Sequence, residues 1–583
     1  MPVPSKRWEV CPPLPDSLRA RFPHLPPLVL QLLYNRGLTD PGEVETFLGG
    51  RLAFDNPFQL QGMHEAVARI RQAIARDEPI AVYGDFDADG VTATALLTQT
   101  LEALGARVQP YIPHRVDEGY GLHEGALTRL AHQGVRLVVT VDCGIRSVDE
   151  VAHARRLGLD VIVTDHHSLG RELPPAVAAI NPKRQDCRYP FKELAGVGVA
   201  YKLAQALLRV EHSMRRRGAP AIPLQEEELL DLVAVGTVAD VVPLLGENRY
   251  LVQRGLERLN PPLPPPAGGG RDYPQRLGLR ALMQKAGLKP GGVNAWAIGF
   301  LLGPRLNAAG RLESAMLSYD LLRSSDEKVG GELAQKLDEL NHRRQKLTLE
   351  TQERVRAQIE AEGDAFLHLV AGEDIPAGIA GLVAGRLAEE LYRPMVVVER
   401  GEKFSRGSCR SIPEFDITAA LDRCVHLLKR HGGHAAAAGF TVETENLPAL
   451  KARLQEIAAE KLAAEELTPT LTIDAEIRLE ELDWATYELL RQFEPCGYAN
   501  PAPLLLSRGV QVRDHRRVGS EGKHLKLTLS DGRMVWDGIA FQQGEWAGQM
   551  PERIDVAYTL EVNEWNDQLR LQLNVQDLRP SKA

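Results

Sequence analysis

Three short apolar runs in the N-terminal half of the chain each end in aspartate or histidine. The runs are IAVYGDFDADG, RLVVTVDCG and DVIVTDHH, and a helical pattern follows each of them. β-Branched and small apolar residues dominate the runs, which predicts buried strands that lead into loops. Strands that alternate with helices at this spacing predict an α/β fold built on a doubly wound parallel sheet.

The side chains that follow such strands should meet, because the carboxyl ends of parallel strands face one crevice. A fourth apolar run, DLVAVGTVADVVPL, also contains an aspartate near its end. The predicted cluster consists of Asp85, Asp87, Asp89, Asp142, Asp165, His166, His167 and Asp240. So many carboxylates need cations to neutralise them, and carboxylates with imidazoles suit Mn²⁺ or Mg²⁺ better than zinc. The sequence therefore predicts a two-metal hydrolase site.

A single aspartate after a strand has a simpler explanation, because it often caps the next helix or closes a turn. Asp89 could cap the helix TATALLTQTLEAL in this way. Four segments that all finish with such residues, one of them with Asp-His-His, favour a metal site instead. The alternation of Asp85, Asp87 and Asp89 agrees with this, since residues two apart in an extended chain point to the same side.

The 583 residues are too many for one hydrophobic core and indicate several domains. The segment NPPLPPPAGGGRDYP, from Asn260 to Pro274, is typical of a surface linker or insertion. The expected order is a helical lead-in over 1–50, an α/β domain with a helical extension over 51–325, a connecting helix over 326–363, a second α/β domain over 364–465 and a small β-barrel over 466–583.

The overall composition favours a globular protein of the cytoplasm. The net charge of −9 argues against non-specific nucleic-acid binding over the whole surface, although a local basic groove is compatible with it. No apolar run approaches the roughly 20 residues that cross a bilayer. The first residues lack the apolar core of a signal peptide, so we expect no export. The six cysteines are scattered and form no Cys-x-x-Cys pair, which is typical of reduced thiols.

The motifs GDFDADG, VDCG, TDHH and TVADVVPL, in this order, resemble the DHH phosphoesterase superfamily. HRVDEGYGL, LAGVGVAYKL, GPRLNAAGRL, GSCRSI and GGHAAAAGF narrow the resemblance to the RecJ family of bacterial single-strand-specific DNA exonucleases. The resemblance covers essentially the whole chain. It implies a DHH domain, a connecting helix, a DHHA1 domain and a C-terminal OB-fold. It also implies hydrolysis of single-stranded DNA from the 5′ end to mononucleotides, in DNA repair and recombination.

The resemblance also implies which residues act. Two Mn²⁺ or Mg²⁺ ions would be held by a set in which Asp142 is the bridging ligand, namely Asp85, Asp87, Asp89, Asp142, His166 and Asp240. Asp165 and His167 would act beside these ligands, as orienting groups or as charge partners of the phosphate. Many relatives place a histidine where this chain has Tyr83. His434, with Gly432 and Gly433, would offer an imidazole and backbone N–H groups to a phosphate from a turn that leads into a helix.

An enzyme that acts from a strand end needs a group that recognises the end, and arginine suits a phosphate because its planar fork binds two oxygens. The candidates are Arg115, Arg305, Arg311, Ser408 and Arg410. Each arginine taken alone is more often a surface or salt-bridge residue. In the family, the equivalents of Arg115, Ser408 and Arg410 surround the 5′-terminal phosphate. Cys409 replaces the small residue that is usual there, which should matter little if its side chain points away.

The C-terminal region has the composition of a surface that binds single strands. Two predicted strands carry the basic residues Arg513, His515, Arg516, Arg517, Lys523, His524 and Lys526. Trp536, Phe541 and Trp565 could stack on bases, or Trp536 and Phe541 could instead fill the barrel core. Arg343, Arg344 and Lys346 on the connecting helix could line the route to the metals. The expected partners are single-stranded DNA and a helicase or single-strand-binding protein, and the chain should be monomeric.

Two other functions remain open on sequence grounds. Smaller relatives with only the two α/β domains act as phosphodiesterases on short oligonucleotides or cyclic dinucleotides, but such substrates need no extra C-terminal domain. Other relatives are non-catalytic scaffolds in replication complexes. Those proteins typically lose metal ligands, whereas every acidic position of the motifs is filled in this chain.

Overall fold

The computed structural model describes residues 6–49, 56–115, 118–214, 221–261, 276–565 and 568–581. The strands are β1 Arg7–Val10, β2 Ile80–Tyr83, β3 Val108–Tyr111, β4 Leu137–Val141, β5 Asp160–Thr164, β6 Ala178–Ile180, β7 His368–Gly372, β8 Met395–Glu399, β9 Phe404–Arg410, β10 Leu428–His434, β11 Ala437–Glu443, β12 Thr470–Ile473, β13 Ala475–Glu476, β14 Leu505–Val518, β15 His524–Ser530, β16 Val535–Ala540, β17 Arg553–Trp565 and β18 Gln568–Pro580. The predicted linker from Asn260 to Pro274 lies, apart from its first two residues, outside the described residues.

Helices account for most of the remaining regular structure. They are α1 Asp16–Arg21, α2 Pro27–Asn35, α3 Pro41–Gly49, α4 Met63–Ala75, α5 Ala88–Ala103, α6 Glu124–His132, α7 Val148–Arg156, α8 Gly196–Met214, α9 Leu230–Ala239, α10 Gly246–Leu259, α11 Leu277–Lys285, α12 Ala295–Ala297, α13 Gly303–Leu312, α14 Met316–Arg323, α15 Glu327–Glu362, α16 Ala377–Leu391, α17 Ile417–Asp422, α18 Leu447–Leu462 and α19 Trp484–Arg491. Among the described residues, none of these helices has both the length and the apolar character needed to cross a membrane.

The described residues divide into two compact units. One unit lies within Phe54–Leu467 and holds both α/β domains. The other combines the described parts of Pro4–Ala53 and Thr468–Ala583. The N-terminal lead-in therefore belongs to the same unit as the C-terminal barrel. Strand β1 pairs in parallel with β12, and this pairing joins the N-terminal lead-in to the residues that precede the barrel.

The first α/β domain is built on a five-stranded parallel sheet in the order β3-β2-β4-β5-β6. This confirms the predicted doubly wound sheet. Alternate residues of β2 enter different cores, with Ile80 and Val82 in one cluster and Ala81 and Tyr83 in another. Both faces of the sheet are covered, which is why the strand sequences are continuously apolar.

The fourth apolar run, whose secondary structure the pattern left open, forms helix α9. Its residues from Leu230 to Thr237 are all buried. A helix that is apolar on every side must be enclosed by other elements, and α9 packs against α5, α8 and α10. The C-cap of α9 is Asp240, so this helix, rather than a strand, brings that carboxylate to the site.

The predicted connecting helix is α15, which runs for 36 residues with Asp326 as its N-cap. The Asp326 side chain accepts a hydrogen bond from the backbone N–H of Val329 at 2.9 Å. In its first half, Leu337 and Leu340 join the core of the first α/β domain, whereas Val355 and Ile359 join a core with the second. The apolar residues of α15 therefore pack against the first α/β domain in its first half and against the second in its last half.

The second α/β domain has the sheet order β10-β11-β9-β8-β7, in which only β7 and β8 are parallel. The prediction that GGH forms a turn into a helix is wrong, because β10 and β11 form an antiparallel hairpin. In it, Gly432 pairs with Gly439 and Gly433 with Ala438. The alanine-rich segment is the strand between β10 and β9, and these neighbours override its helix propensity.

The C-terminal unit contains a closed barrel of β14, β15, β16, β18 and β17, since β17 also pairs with β14. This confirms the predicted small barrel. The lead-in helix α2 belongs to the same unit, and its Asn35 side chain donates to the backbone carbonyl of Asp474 at 2.8 Å. Arg36 donates to the carbonyl oxygen of Pro501 at 2.7 Å. These bonds attach the lead-in to the start of the barrel.

Candidate metal and phosphate site

The acidic residues of the motifs lie where the parallel strands end. Asp85 follows β2, Asp142 follows β4, and Asp165 follows β5 directly. Because β4 lies between β2 and β5 in the sheet, these three carboxylates reach one edge from neighbouring strands. The expected meeting of the motif residues at the carboxyl edge is thus a feature of the structure.

Three groups of side chains at this edge could each hold a metal ion. Within each group, one ligand atom from every member lies within 4.8 Å of the others. The groups are Asp85 with Asp87 and Asp142, Asp89 with His166 and Asp240, and Asp142 with His166 and His167. Asp142 belongs to two groups, as expected for a ligand shared between two ions.

Several oxygens of these carboxylates are buried without a hydrogen-bond donor among the described residues. Asp85 Oδ1, Asp142 Oδ1 and Asp240 Oδ2 are buried and accept no hydrogen bond from the described residues. Burial, followed by the charges of neighbouring aspartates, raises the pKa of Asp85, Asp142 and Asp240 well above the usual value. A buried acceptor without a donor is costly, and divalent cations with oxygen ligands remove that cost. The residues present therefore fit Mn²⁺ or Mg²⁺.

Asp87 and Asp89 also stabilise the local backbone. Asp87 is the N-cap of α5, and its Oδ1 accepts hydrogen bonds from Asp89 and Gly90 N–H at 3.0 Å. Asp89 accepts from the N–H groups of Gly196 at 2.7 Å and Val197 at 2.8 Å. The capping role that could explain one aspartate thus falls to Asp87, and it coexists with membership of the cluster.

The backbone at Asp142 adopts an unusual conformation, with φ of 62°. Left-handed backbone is uncommon outside glycine, and it concentrates at functional sites, where surrounding structure maintains it. Here it directs the carboxylate toward Gly196 at the start of α8. A Cβ at Gly196 would lie 2.5 Å from Asp142 Cβ, so only glycine fits beside this carboxylate.

Asp165 orients its neighbours and belongs to none of the three groups. Its carboxylate accepts hydrogen bonds from the N–H groups of Ile145 at 2.9 Å, His166 at 2.7 Å and His167 at 3.0 Å. The His167 ring nitrogen Nδ1 lies 2.8 Å from Asp165 Oδ1. Burial opposes ionisation of Asp165, but the hydrogen bonds from His167 and the charges of His167 and His166 together outweigh it and lower the pKa to about 2. The ionised Asp165 then fixes the His167 ring.

His166 is held in its neutral form. Burial, followed by the nearby charge of His167, lowers the pKa of His166 to about 3. Its Nε2 atom lies 3.1 Å from Asp142 Oδ1 and 3.5 Å from Asp240 Oδ2. A neutral imidazole between two carboxylates is suited to metal coordination.

Tyr83, which occupies the position where many relatives have histidine, takes no part in the cluster. Its side chain is buried on the other face of the sheet, and its hydroxyl donates to the carbonyl of Gly121 at 3.1 Å. The three groups are therefore formed without a contribution from this position.

The predicted phosphate-binding arginines divide into two sets. Arg115, Arg311 and Arg410 lie near one another, whereas Arg305 pairs with Asp338. Arg115 lies 4.6 Å above the ring of Phe86, within the aspartate loop, and Arg311 donates to the carbonyl of Gly378 at 2.9 Å. Burial, then the positive charges of Arg115 and Arg344, lowers the pKa of Arg311 to about 9. Guanidinium groups this close repel one another, and an anion between them would relieve that repulsion.

Arg410 and Ser408 lie on the same face of β9, since residues two apart on a strand share a face. Cys409, between them, is buried in the core on the opposite face, so its side chain points away from Ser408 and Arg410. The charge of Arg115 contributes, after burial, to a lowered pKa of Arg410, so the two arginines are neighbours. By contrast, Arg305 bonds Asp338 at 2.9 Å on α15 and has a structural partner.

The hairpin that carries Gly432, Gly433 and His434 faces the first domain. A Cβ built at Gly119, in the HRVDEGYGL motif, would lie 3.7 Å from an Arg430 nitrogen. Burial, followed by the charge of His167, lowers the pKa of His434. His434 therefore lies near the histidine pair, although it is delivered by a strand end and not by a helix.

The sequence reasoning missed three residues at the site. The Tyr120 hydroxyl lies 3.0 Å from His167 Nδ1, Asn307 Oδ1 accepts a hydrogen bond from Ala88 N–H at 2.8 Å, and the charge of Lys183 acts on both His166 and Asp240. Tyr120 and Asn307 lie inside the quoted motifs HRVDEGYGL and GPRLNAAGRL, so the motifs signalled them. Nothing in the pattern around Lys183 did.

The basic residues of the barrel lie on paired strands, as predicted. Arg516 on β14 is directly opposite Lys526 on β15. Trp536 is buried and donates to the carbonyl of Leu479 at 3.1 Å, so it belongs to the core. Phe541 is exposed and packs edge-on against His524, with ring centroids 5.3 Å apart. The Trp565 side chain lies outside the described residues.

The three basic residues predicted to line a route along α15 differ in exposure. Arg343 and Lys346 are exposed, whereas Arg344 is buried and donates to Asn341 Oδ1 at 2.8 Å. Arg344 therefore packs inside the first unit.

Comparison with known families agrees with this architecture. Residues 79–237 match the DHH family, N-terminal domain, residues 363–460 match the DHHA1 domain, and residues 473–577 match the RecJ OB domain. The three matches follow one another along the chain.

Individual relatives span almost the whole sequence. The single-stranded-DNA-specific exonuclease RecJ of Bacillus subtilis (strain 168) is 39% identical, covering 99% of this chain and 71% of that protein. The RecJ of Escherichia coli (strain K12) is 36% identical, covering 95% and 96%. A crystal structure of RecJ from Thermus thermophilus in complex with Mn²⁺ has a TM-score of 0.83 at 32% identity, covering 99% of this chain and 80% of that one. The chain belongs to the RecJ family of single-stranded-DNA-specific exonucleases.

Proposed function

We propose that this protein is a metal-dependent exonuclease that hydrolyses the phosphodiester bonds of single-stranded DNA. The observation that carries the proposal is the set of three adjoining carboxylate and imidazole groups, two of which share Asp142, with buried carboxylate oxygens that accept no hydrogen bond from the described residues. The Mn²⁺ and Mg²⁺ complexes of the Thermus thermophilus RecJ support the choice of these ions.

The residues divide by role within this proposal. Asp85, Asp87 and Asp142 would hold one ion, and a second ion would be held by Asp89, His166 and Asp240. Asp142 Oδ1 lies 3.1 Å from His166 Nε2, between the two sets. When bound, the ions supply positive charge to the phosphate and a nucleophile at neutral pH. Asp165 and Tyr120 fix the His167 ring beside the phosphate, and His434 on the hairpin approaches from the second domain.

We further propose that cleavage begins at the 5′ end and releases mononucleotides. Arg115 and Arg410 are half-buried and close enough for their charges to interact, and Ser408 lies on the same strand face as Arg410. A terminal phosphate carries up to two negative charges, whereas a phosphate inside the strand carries one, so this group of cations favours the terminus.

The test uses single strands labelled at either end, with and without a 5′-phosphate, in Mn²⁺. The wild type should release the 5′ label first and should cut phosphorylated strands faster. Asp142→Ala should abolish cleavage, and activity close to wild type would contradict the metal assignment. Arg410→Ala should lower kcat/KM about tenfold or more on phosphorylated ends only, because a charge-assisted hydrogen bond contributes roughly 1.5–3 kcal/mol. Equal slowing of both ends would place Arg410 at the bond that is cut.

The wider cellular role is proposed on more general grounds. The substrate class supports a role in DNA repair and recombination, with a helicase or single-strand-binding protein as partner. The buried thiols of Cys143, Cys187, Cys409 and Cys424, which form no disulfide, support a cytoplasmic location. We propose a monomer, which sedimentation of the purified protein would test.

A further inference from the structure

Two aromatic side chains of the first unit are exposed and stacked on each other. Trp296 is 59% exposed and Phe300 is 67% exposed. Their ring centroids are 5.5 Å apart, and the ring planes differ by 25°. Val241, which follows the cluster residue Asp240, is 64% exposed with a φ of 60°. Exposed apolar groups of this size mark a surface that binds something.

The aromatic pair lies on a helix with a π-helical turn in its middle. Helix α12 continues through a π turn at Ile298–Leu302 into α13. Such turns are rare and occur frequently at functional sites. Along this helix Trp296 and Phe300 are exposed, and Pro304, Asn307 and Arg311 after the π turn are half-buried; we call these residues the stripe.

The C-terminal part of this stripe belongs to the candidate site. Asn307 accepts a hydrogen bond from Ala88 in the aspartate loop, and Arg311 is a neighbour of Arg115. The π turn packs on α9, which ends at Asp240. A Cβ at Gly299 would lie 3.8 Å from Val238, and one at Gly303 would lie 3.2 Å from Ala239. The helix therefore leads from the arginines, past the metal ligands, to the aromatic pair.

We propose that Trp296 and Phe300 form a platform on which bases of the single strand stack, on the 3′ side of the bond that is cut. This inference rests on the proposed function, which places the 5′ end at Arg115 and Arg410. At 1.5 Å per residue, Trp296 lies about 16 Å along the helix from Asn307, a distance of several nucleotides. Bases stack on aromatic rings whatever their sequence, so the platform suits a nuclease without sequence preference.

The test compares long and short substrates in the Trp296→Ala/Phe300→Ala double variant. Both side chains are exposed, so the fold should survive. For a 5′-phosphorylated strand of about 12 nucleotides, KM should rise about tenfold with kcat unchanged. A strand of about three nucleotides is too short to reach the platform and should be cut as by the wild type. Leu349→Ala, which removes an exposed apolar side chain from α15, is the matched control and should change neither.

Binding without turnover separates stacking from other causes. In chelator, anisotropy of a labelled strand of about 12 nucleotides should show about tenfold weaker binding to the double variant, and an equally long strand without bases should bind both proteins alike. Unchanged binding of the normal strand, or equal loss on both strands, would overturn the platform. A defect seen only in recruitment of another protein would also overturn it. Failure of the wild type to degrade any single strand would instead overturn the proposed function.

Discussion

At the scale of single residues, the site depends on the close approach of Gly196 to Asp142. Replacing Gly196 with alanine would put a methyl group 2.4 Å from Asp142 Oδ1 and 2.5 Å from Asp142 Cβ, and that Cβ cannot move without its backbone. We expect Gly196→Ala to displace the carboxylate shared by both metal groups and to lower Mn²⁺ affinity and activity by at least about a hundredfold, since positioning errors of about 1 Å cost that much. Isothermal titration with Mn²⁺ measures the affinity.

The matched control is Gly198→Ala, two residues further along α8. A Cβ there would lie 3.3 Å from a methyl group of Leu194, which can move. This variant should bind Mn²⁺ within a few-fold of the wild type. If both variants bind equally well, the space around Asp142 does not control the site.

The buried carboxylates also predict how pH changes the stabilisation of the fold by bound metal. In the metal-free protein, burial and then the charge of Asp87 raise the pKa of Asp89 to about 7. A carboxyl whose folded pKa is raised stabilises the fold below its unfolded pKa and loses that contribution as pH rises through the folded value. Metal binds the ionised form, so it opposes this loss. The gain in Tm on adding Mn²⁺ should therefore grow from about pH 6 to about pH 8.

Differential scanning fluorimetry at fixed Mn²⁺ concentration measures this gain. Asp142→Ala provides the control and should show little gain at either pH. A gain in the wild type that shrinks as pH rises would contradict the raised pKa values of the cluster.

At the scale of elements, helix α15 offers two adjacent glycines in different surroundings. A Cβ at Gly331 meets nothing within 4 Å, whereas one at Gly330 lies 3.2 Å from the Cα of Gly278 on α11. Gly331→Ala should stabilise by about 0.5–1 kcal/mol, because alanine loses less backbone entropy in a helix. Gly330→Ala should destabilise, since α15 and α11 would be forced apart. The Tm of the two variants should shift in opposite directions, and shifts of the same sign would contradict this packing.

The GGHAAAAGF segment shows the limit of local pattern at this scale. Its alanines favour a helix, yet the segment forms β10 and β11. Hydrogen bonds to β9 and the tight packing at Gly433, where a Cβ would lie 2.5 Å from Ala438 Cα, decide the outcome. Both are long-range effects that residue propensities do not contain.

At the scale of the whole molecule, the lead-in and the barrel should behave as one unit. Truncation after Leu467 removes the hydrogen-bond partners of Asn35 and Arg36. It also removes the larger part of the compact unit to which the buried residues of α2 belong. We expect that truncated chain to aggregate. A chain of residues 54–467, without the lead-in, should stay monodisperse and keep Mn²⁺-dependent cleavage of short strands. It should also bind long strands with a flatter dependence on salt, because fewer phosphates are neutralised.

Size-exclusion chromatography and salt titrations of strand binding distinguish the two truncated chains. Equal solubility of both chains would contradict the joint unit. An unchanged salt slope in the shorter chain would show that the barrel contributes no phosphate contacts.

The parallel sheet and the acidic cluster follow from the sequence, because strand periodicity and the common edge of parallel strands are local rules. The long helix α15 follows as well, because its sequence is highly charged and sparsely apolar over many residues. Only the tertiary structure decided that Asp240 arrives on a helix, that Tyr120 and Asn307 join the site, that Trp536 fills the barrel and that the lead-in belongs with the barrel. These outcomes depend on contacts between residues far apart in sequence, and such contacts leave no periodic signal in the chain.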